Sequence, residues 1–261
     1  MNVEDAQNFV SNMVDFCKDN LIYGELAPMD TIQELDIRPE DIVYIKKFVE
    51  KNPIVITPSN PRYKKSINFS GHKFLNVSYI TPEGLMWKDQ IFMPTWILTT
   101  IILARVVRDL GAKSAFDLGA GDARLQYFSS SIGLRSYGIE YSKELADIQK
   151  QIAESTGVEL GTIKGDALQK RDYSIYRLEK PAFFISLVGK ERKRAFDCLK
   201  SSLNEYTPGL LEKSLFVTIH YRNNNSSRNS IFESEKLLNE IYNLQLPTFW
   251  DKEANYHISK L

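Results

Sequence analysis

The sequence predicts an α/β protein, with a mostly parallel sheet covered by helices on both faces and a partly helical N-terminal accessory region. Three observations carry this. From about residue 95 onward, short apolar runs alternate with amphipathic stretches of helical period, the pattern of parallel strands joined by crossover helices. One of those runs, PAFFISLVG (181–189), is almost wholly apolar, as a strand covered on both faces must be. Another, SAFDLG (114–119), leads directly into a glycine turn and a helix, which places the turn at the carboxyl edge of the sheet.

The chain divides near residue 80. Residues 1–80 form the accessory region and residues 81–261 the main domain. In the accessory region, Phe9, Val10, Met13, Val14 and Phe16 recur at roughly helical spacing, which predicts a helix over 3–20. A second helix follows, with Pro39 at its first position and Ile42, Ile45, Phe48 and Val49 on one side. Pro53, Pro58 and Pro61 then argue against regular structure, and KFLNVSYI (73–80) reads as a strand.

In the main domain the order is a helix over 95–110, the strand SAFDLG, a helix to about 130, and the strand RSYGIE (135–140). A helix capped by Ser142 and stopped by Gly157 comes next. LGTIKGDA (160–167), PAFFISLVG and SLFVTIHY (214–221) supply three more strands, with a helix over 190–206 before the last. Beyond the polar loop NNNSSRNS, IFESEKLLNEIYNL (231–244) reads as a helix and the tail from 246 as a closing antiparallel hairpin.

Composition narrows the function. Lysine plus arginine equals aspartate plus glutamate at 33 each, so the chain has no overall basic field for nucleic acid, though a local patch stays open. With three histidines and two distant cysteines, Cys17 and Cys198, no catalytic metal is expected. The cysteine usage and the acidic, polar start point to reduced thiols in a cytoplasmic protein without a secretory signal. The greasiest run, TWILTTIILARVV, is short for a membrane span and is interrupted by Arg105, so it reads as a buried helix.

The glycine turn decides the ligand class. A dinucleotide fingerprint would be Gly-x-Gly-x-x-Gly, but here Gly119 and Gly121 are followed by Arg124. Asp117 and Asp122 also set two carboxylates where a pyrophosphate would lie, an unfavourable arrangement. A cationic ligand without phosphates suits these charges better. DLGAGDAR, residues 117–124, resembles the first motif of class I S-adenosylmethionine-dependent methyltransferases, D-x-G-x-G-x-G, with Ala123 in the place of the last glycine.

The resemblance spans residues 94–187. It implies a seven-stranded Rossmann-like sheet in which Asp117, Gly119, Ala120 and Gly121 wrap the methionine part of S-adenosylmethionine. Glu140, with Tyr141 beside it, would accept the ribose hydroxyls, although nicotinamide enzymes also use an acid at that place. Asp166 and Ala167 would meet the adenine. Phe92, Pro94 and Thr95 in IFMPTW resemble a segment of small class I protein lysine methyltransferases that helps cover the cofactor.

Methyl transfer from a sulfonium needs no enzyme nucleophile, only alignment and electrostatics. Ser186, His220 and Tyr221 are the candidates for contact with the acceptor, since they follow the fourth and fifth strands. The Asn/Asp-Pro-Pro-Tyr signature of amino-methylating nucleic-acid enzymes is absent, and FISLVG stands in its place. The expected acceptor is a protein lysine, with RNA or a small molecule as alternatives. A nicotinamide-dependent oxidoreductase and a catalytically inactive S-adenosylmethionine-binding module are the rival readings. KERKR (190–194) reads as a solvated helix start moderated by Glu191, or else as a rim for an acidic substrate. Tyr79, Trp87, Phe92 and Trp96 are either pocket walls or core.

Overall fold

The computed structural model describes residues 25–28, 39–56, 68–69, 72–79, 94–187, 189–220, 238–246 and 254–261. The helix expected over 3–20, Trp87, Phe92 and the rest of 88–93, Tyr221 and the loop NNNSSRNS lie outside these residues. A seven-stranded sheet is built from β5 (Ser114–Leu118), β6 (Arg135–Glu140), β7 (Gly161–Lys164), β8 (Pro181–Ile185), β9 (Leu215–His220), β10 (Asn239–Leu246) and β11 (Ala254–Lys260). Its order is β10-β11-β9-β8-β5-β6-β7. The five strands from β7 to β9 are parallel, and β11 runs antiparallel to both its neighbours. The expected seven-stranded, mostly parallel sheet is therefore what forms.

Strand alternation sorts side chains onto two faces. Ala115, Ala182, Phe184 and Val217 pack with Leu103 and Val107 of α2 (Ile97–Asp109) and Leu125 of α3 (Arg124–Ser131). Phe116, Leu118, Phe183 and Phe216 face Phe196, Leu199 and Leu203 of α5 (Gly189–Tyr206) instead. Phe183 and Phe216 stack 6.0 Å apart, and Phe196 meets Phe216 edge-on. Each such buried phenylalanine contributes about 1.5–3 kcal/mol, so the layered core supplies much of the stability.

The helix α4 (Lys143–Thr156) begins and ends where the sequence places it. The Ser142 hydroxyl accepts from Leu145 N–H at 3.2 Å, and Gly157 closes the helix in the left-handed region, φ 71°.

Residues 25–79 contribute α1 (Pro39–Lys51) and a small antiparallel sheet of β1 (Glu25–Pro28), β2 (Val55–Ile56), β3 (Asn68–Phe69) and β4 (His72–Tyr79), the last within one residue of the expected strand. Two-residue strands β2 and β3 both lie inside the stretch 52–71 where no element was expected. Ile45, Phe48 and Val49 of α1 are buried, and Phe48 lies 5.0 Å from Tyr127 and 5.4 Å from Phe128 of α3.

Two expectations are corrected. NEIYNL, read as the end of a helix, is strand β10, and the second strand of the hairpin is β11. Leu244 and Leu246, two residues apart, are buried while Asn243 and Gln245 are exposed: the period of two prevails because β10 pairs with β11. In KERKR, Arg192 is buried and donates to the Ile219 carbonyl at 2.5 Å, so this cation is packed rather than solvated, whereas Lys193 pairs with Asp197 on the surface.

Candidate functional site

The chain runs from β5 outward through β6 to β7, then returns to place β8 on the other side of β5. This reversal opens a crevice at the carboxyl ends of β5 and β8, where ligands bind in open α/β sheets. Asp117 stands on β5 and Ser186 follows β8. The Ser186 hydroxyl donates to Asp117 Oδ1 at 2.6 Å across that point. Asp117 is buried, and burial pushes its carboxyl up to about 8; the Ser186 hydrogen bond opposes this, while the charges of Glu140 and Asp122 reinforce it.

Gly119 turns the chain out of β5 at φ 89°, a conformation that penalises a Cβ, and an added Cβ would lie 3.1 Å from Leu187 Cδ2. Ala120 is buried, with its N–H on the Ile139 carbonyl at 2.9 Å. Gly121 is held from both sides: its N–H donates to Glu140 Oε2 and its carbonyl accepts from Gln149 Nε2, each at 2.7 Å. Glu140 Oε1 accepts from Ser142 N–H, also at 2.7 Å. Burial raises the Glu140 carboxyl, against the pull of those backbone donors. A carboxylate offers about four acceptor positions, so Glu140 retains capacity for a hydroxyl.

The other candidates are placed as follows. Tyr141 is exposed beside Glu140. The end of β7 is tied to β6 by Gly165 N–H on the Glu140 carbonyl at 3.0 Å, which brings Asp166 to the same edge. Asp166 Oδ1 accepts from Leu168 N–H at 2.8 Å, and Ala167 is half-buried against the Phe116 face of the sheet. Pro94 is buried, and the Thr95 carbonyl accepts from Arg124 Nη1. Trp96 is core, with no described partner for its Nε1. His220 ends β9, and its side chain, like Tyr221, lies outside the described residues.

Asp122 departs from its expected place as a ligand-facing carboxylate. Its two oxygens form a fork with Arg124, at 2.8 Å to Nε and 2.5 Å to Nη2, and both residues are buried. The pair leaves Asp117 and Glu140 as the carboxylates available at the crevice. Sequence reasoning also missed Asn52, which donates to Asp122 Oδ2 at 2.8 Å, and Gly138 in β6. An added Cβ at Gly138 would lie 2.6 Å from that of Ala120, so the strand approaches the glycine loop closely. A glycine inside a strand is the signal that marks such an approach; nothing in the sequence marks Asn52.

The residues present fit S-adenosylmethionine. Two buried carboxyl groups, Asp117 and the Glu140 that ends β6, and a glycine turn at the crevice match a cationic nucleoside, whereas a pyrophosphate at the turn would face Asp117. Among the described residues no cluster of histidine, cysteine, aspartate or glutamate forms a metal site, and no helix is long and apolar enough to cross a membrane.

No protein family matches the chain, and no curated protein does. Solved structures similar to it include a mutant of MtNAS in complex with S-adenosylmethionine, 16% identical, with 63% of this chain and 63% of that chain covered and a TM-score of 0.42. Magnesium protoporphyrin IX methyltransferase from Synechocystis, with S-adenosylmethionine bound, is 11% identical, covering 63% of this chain and 77% of that one at a TM-score of 0.44. A putative RNA methyltransferase from Pyrococcus horikoshii is 20% identical, covering 63% and 81% at a TM-score of 0.43. The chain thus spans under two thirds of the first of these. At such identities and scores, the reading of the site rests on its own geometry.

Proposed function

We propose that the chain is an S-adenosylmethionine-dependent methyltransferase whose acceptor is a protein lysine. The observation that carries this is the pair of buried carboxyl groups, Asp117 and Glu140, on either side of a glycine loop at the reversal point of the sheet, with Asp122 neutralised by Arg124. Glu140 holds the ribose hydroxyls, Asp117 faces the cationic methionine end, and Gly119 to Gly121 let the backbone approach. Asp166 and Ala167 hold the adenine end. When bound, S-adenosylmethionine supplies an electrophilic methyl on a sulfonium. The chain aligns the acceptor in line with it and excludes water.

A lysine acceptor must be neutral to attack. Support for it comes from Phe92, Pro94 and Thr95, which resemble the covering segment of small lysine methyltransferases, and from the Thr95 carbonyl, which anchors this segment on Arg124 beside the glycine loop. Ser186, through its bond to Asp117, helps set the charge at the crevice.

Calorimetry with S-adenosylmethionine and with NAD tests the cofactor; binding of NAD alone overturns the reading. Transfer of radiolabelled methyl into a cell extract, sorted into protein, RNA and small-molecule fractions, tests the acceptor. Label in RNA or small molecules replaces the lysine proposal, and binding without any transfer leaves an inactive binding module.

A further inference from the structure

We infer that Asn52, at the end of accessory helix α1, is a positioning residue that sets the glycine loop for S-adenosylmethionine through the Asp122–Arg124 pair, which makes α1 part of the cofactor site's machinery without touching the ligand. The inference rests on the cofactor assignment above and adds to it a residue from outside the main domain.

Both the oxygen and the nitrogen of the Asn52 amide are engaged. Asn52 is buried; its Oδ1 accepts from Ile54 N–H at 3.1 Å, and its Nδ2 donates to Asp122 Oδ2 at 2.8 Å. The first bond fixes the amide's orientation, so that the donor points at the carboxylate. Asp122 directly follows Gly121, whose N–H and carbonyl are held by Glu140 and Gln149. Asp122 shares a peptide with the Gly121 carbonyl, so its movement reaches Gly121 directly and, one bond further, the N–H that contacts Glu140. Arg124 carries the link further: its guanidinium bonds Asp122 and the Thr95 carbonyl, and its Cζ lies 6.0 Å from the centre of the Phe48 ring on α1. Three distant segments, α1, residues 94–96 and the glycine loop, thus share one buried ion pair.

A second anchor holds α1 to the same helix start. Tyr127 on α3 donates its hydroxyl to the Tyr44 carbonyl at 3.2 Å. α1 also pairs Asp41 with Arg105 of α2. The helix is consequently fixed against both α2 and α3, and Asn52 is the point at which that fixation touches the loop itself. An amide suits this place for a charge reason. Asp122 is already neutralised by Arg124, so a neutral donor completes the carboxylate without adding charge beside Asp117 and Glu140.

The test measures S-adenosylmethionine affinity by calorimetry in the full chain, with circular dichroism as the check on folding. Asn52→Ala is expected to raise Kd fivefold or more. Asn52→Asp sets a second carboxyl against Asp122: its Kd should match the wild type at pH 5.5, where the new acid can donate a proton, and exceed it fivefold or more at pH 7.5. A residue with only a structural role would lower the melting temperature and leave these affinities and their pH profile alone. Folded variants that bind within fivefold of the wild type at both pH values overturn the inference while leaving the cofactor assignment intact. Failure of the wild type to bind overturns both.

Should the variants not fold, hydrogen exchange on the wild type decides. The ligand should slow exchange in residues 44–52 as well as in the loop, because coupling between sites is reciprocal. Slowing confined to 117–124 and 139–142 overturns it.

Discussion

Ala123 stands where the resembling motif has glycine, and the backbone there still adopts the glycine conformation, φ 64° and ψ 17°, at a fully buried position. An alanine in the left-handed region costs about 1 kcal/mol. Ala123→Gly is therefore expected to keep the loop's shape and to raise stability by a few tenths to about 1 kcal/mol, less whatever entropy the unfolded chain gains; urea denaturation reads this. A lower midpoint would mean that the alanine methyl packs well enough to offset its strain. Glu140 makes a complementary test. Glu140→Ala removes a charged acceptor from the crevice and should weaken S-adenosylmethionine binding by about 1–3 kcal/mol. Unchanged affinity in a folded variant removes Glu140 from the site.

Among the elements, β6 carries most of the site's precision. It ends in Glu140 and brings Gly138 against the glycine loop, so the strand and the loop fit only without a side chain between them. In Gly138→Ala the new Cβ would sit 2.5 Å from Gln126 Cδ and 2.6 Å from Ala120 Cβ. Such overpacking costs roughly 1–3 kcal/mol, and because Ala120 belongs to the loop, cofactor affinity should fall along with the melting temperature. A variant that melts earlier but binds as tightly would show that the strain is absorbed at Gln126.

Elements whose ends are set locally were legible in the sequence. Ser142 and Gly157 mark α4, the Asp117 position follows from a strand end before a glycine turn, and the Glu140 position from a strand end just before the Ser142 cap. β10 was not legible, since a short apolar run without local caps takes its period from its partner strand. The Asn52–Asp122–Arg124 junction was hidden for the same reason: it joins residues 70 positions apart, and only the tertiary fold brings them together.

At the scale of the whole molecule, the crevice divides the sheet into the strands that precede the reversal and those that follow it, so a charge buried there weighs on global stability. Burial moves the Asp117 carboxyl from an ordinary 3.8 up to about 8. Between these values the folded chain keeps a proton that the unfolded chain has released. Stability fully present below about pH 4 is therefore lost progressively as pH rises towards 8, with a slope of at most about 1.4 kcal/mol per pH unit. Glu140, also raised by burial, acts in the same sense. A bound cation reverses the preference, since it favours the ionised carboxyl. Urea denaturation between pH 5.5 and 8.5 should accordingly show a falling midpoint without ligand and a flatter profile with saturating S-adenosylmethionine. Affinity should rise with pH to about 8, with proton release on binding that shows as a dependence of calorimetric heat on the buffer. Asp117→Asn should flatten the ligand-free profile and weaken binding. Parallel profiles with and without the ligand would remove Asp117 from contact with its charge.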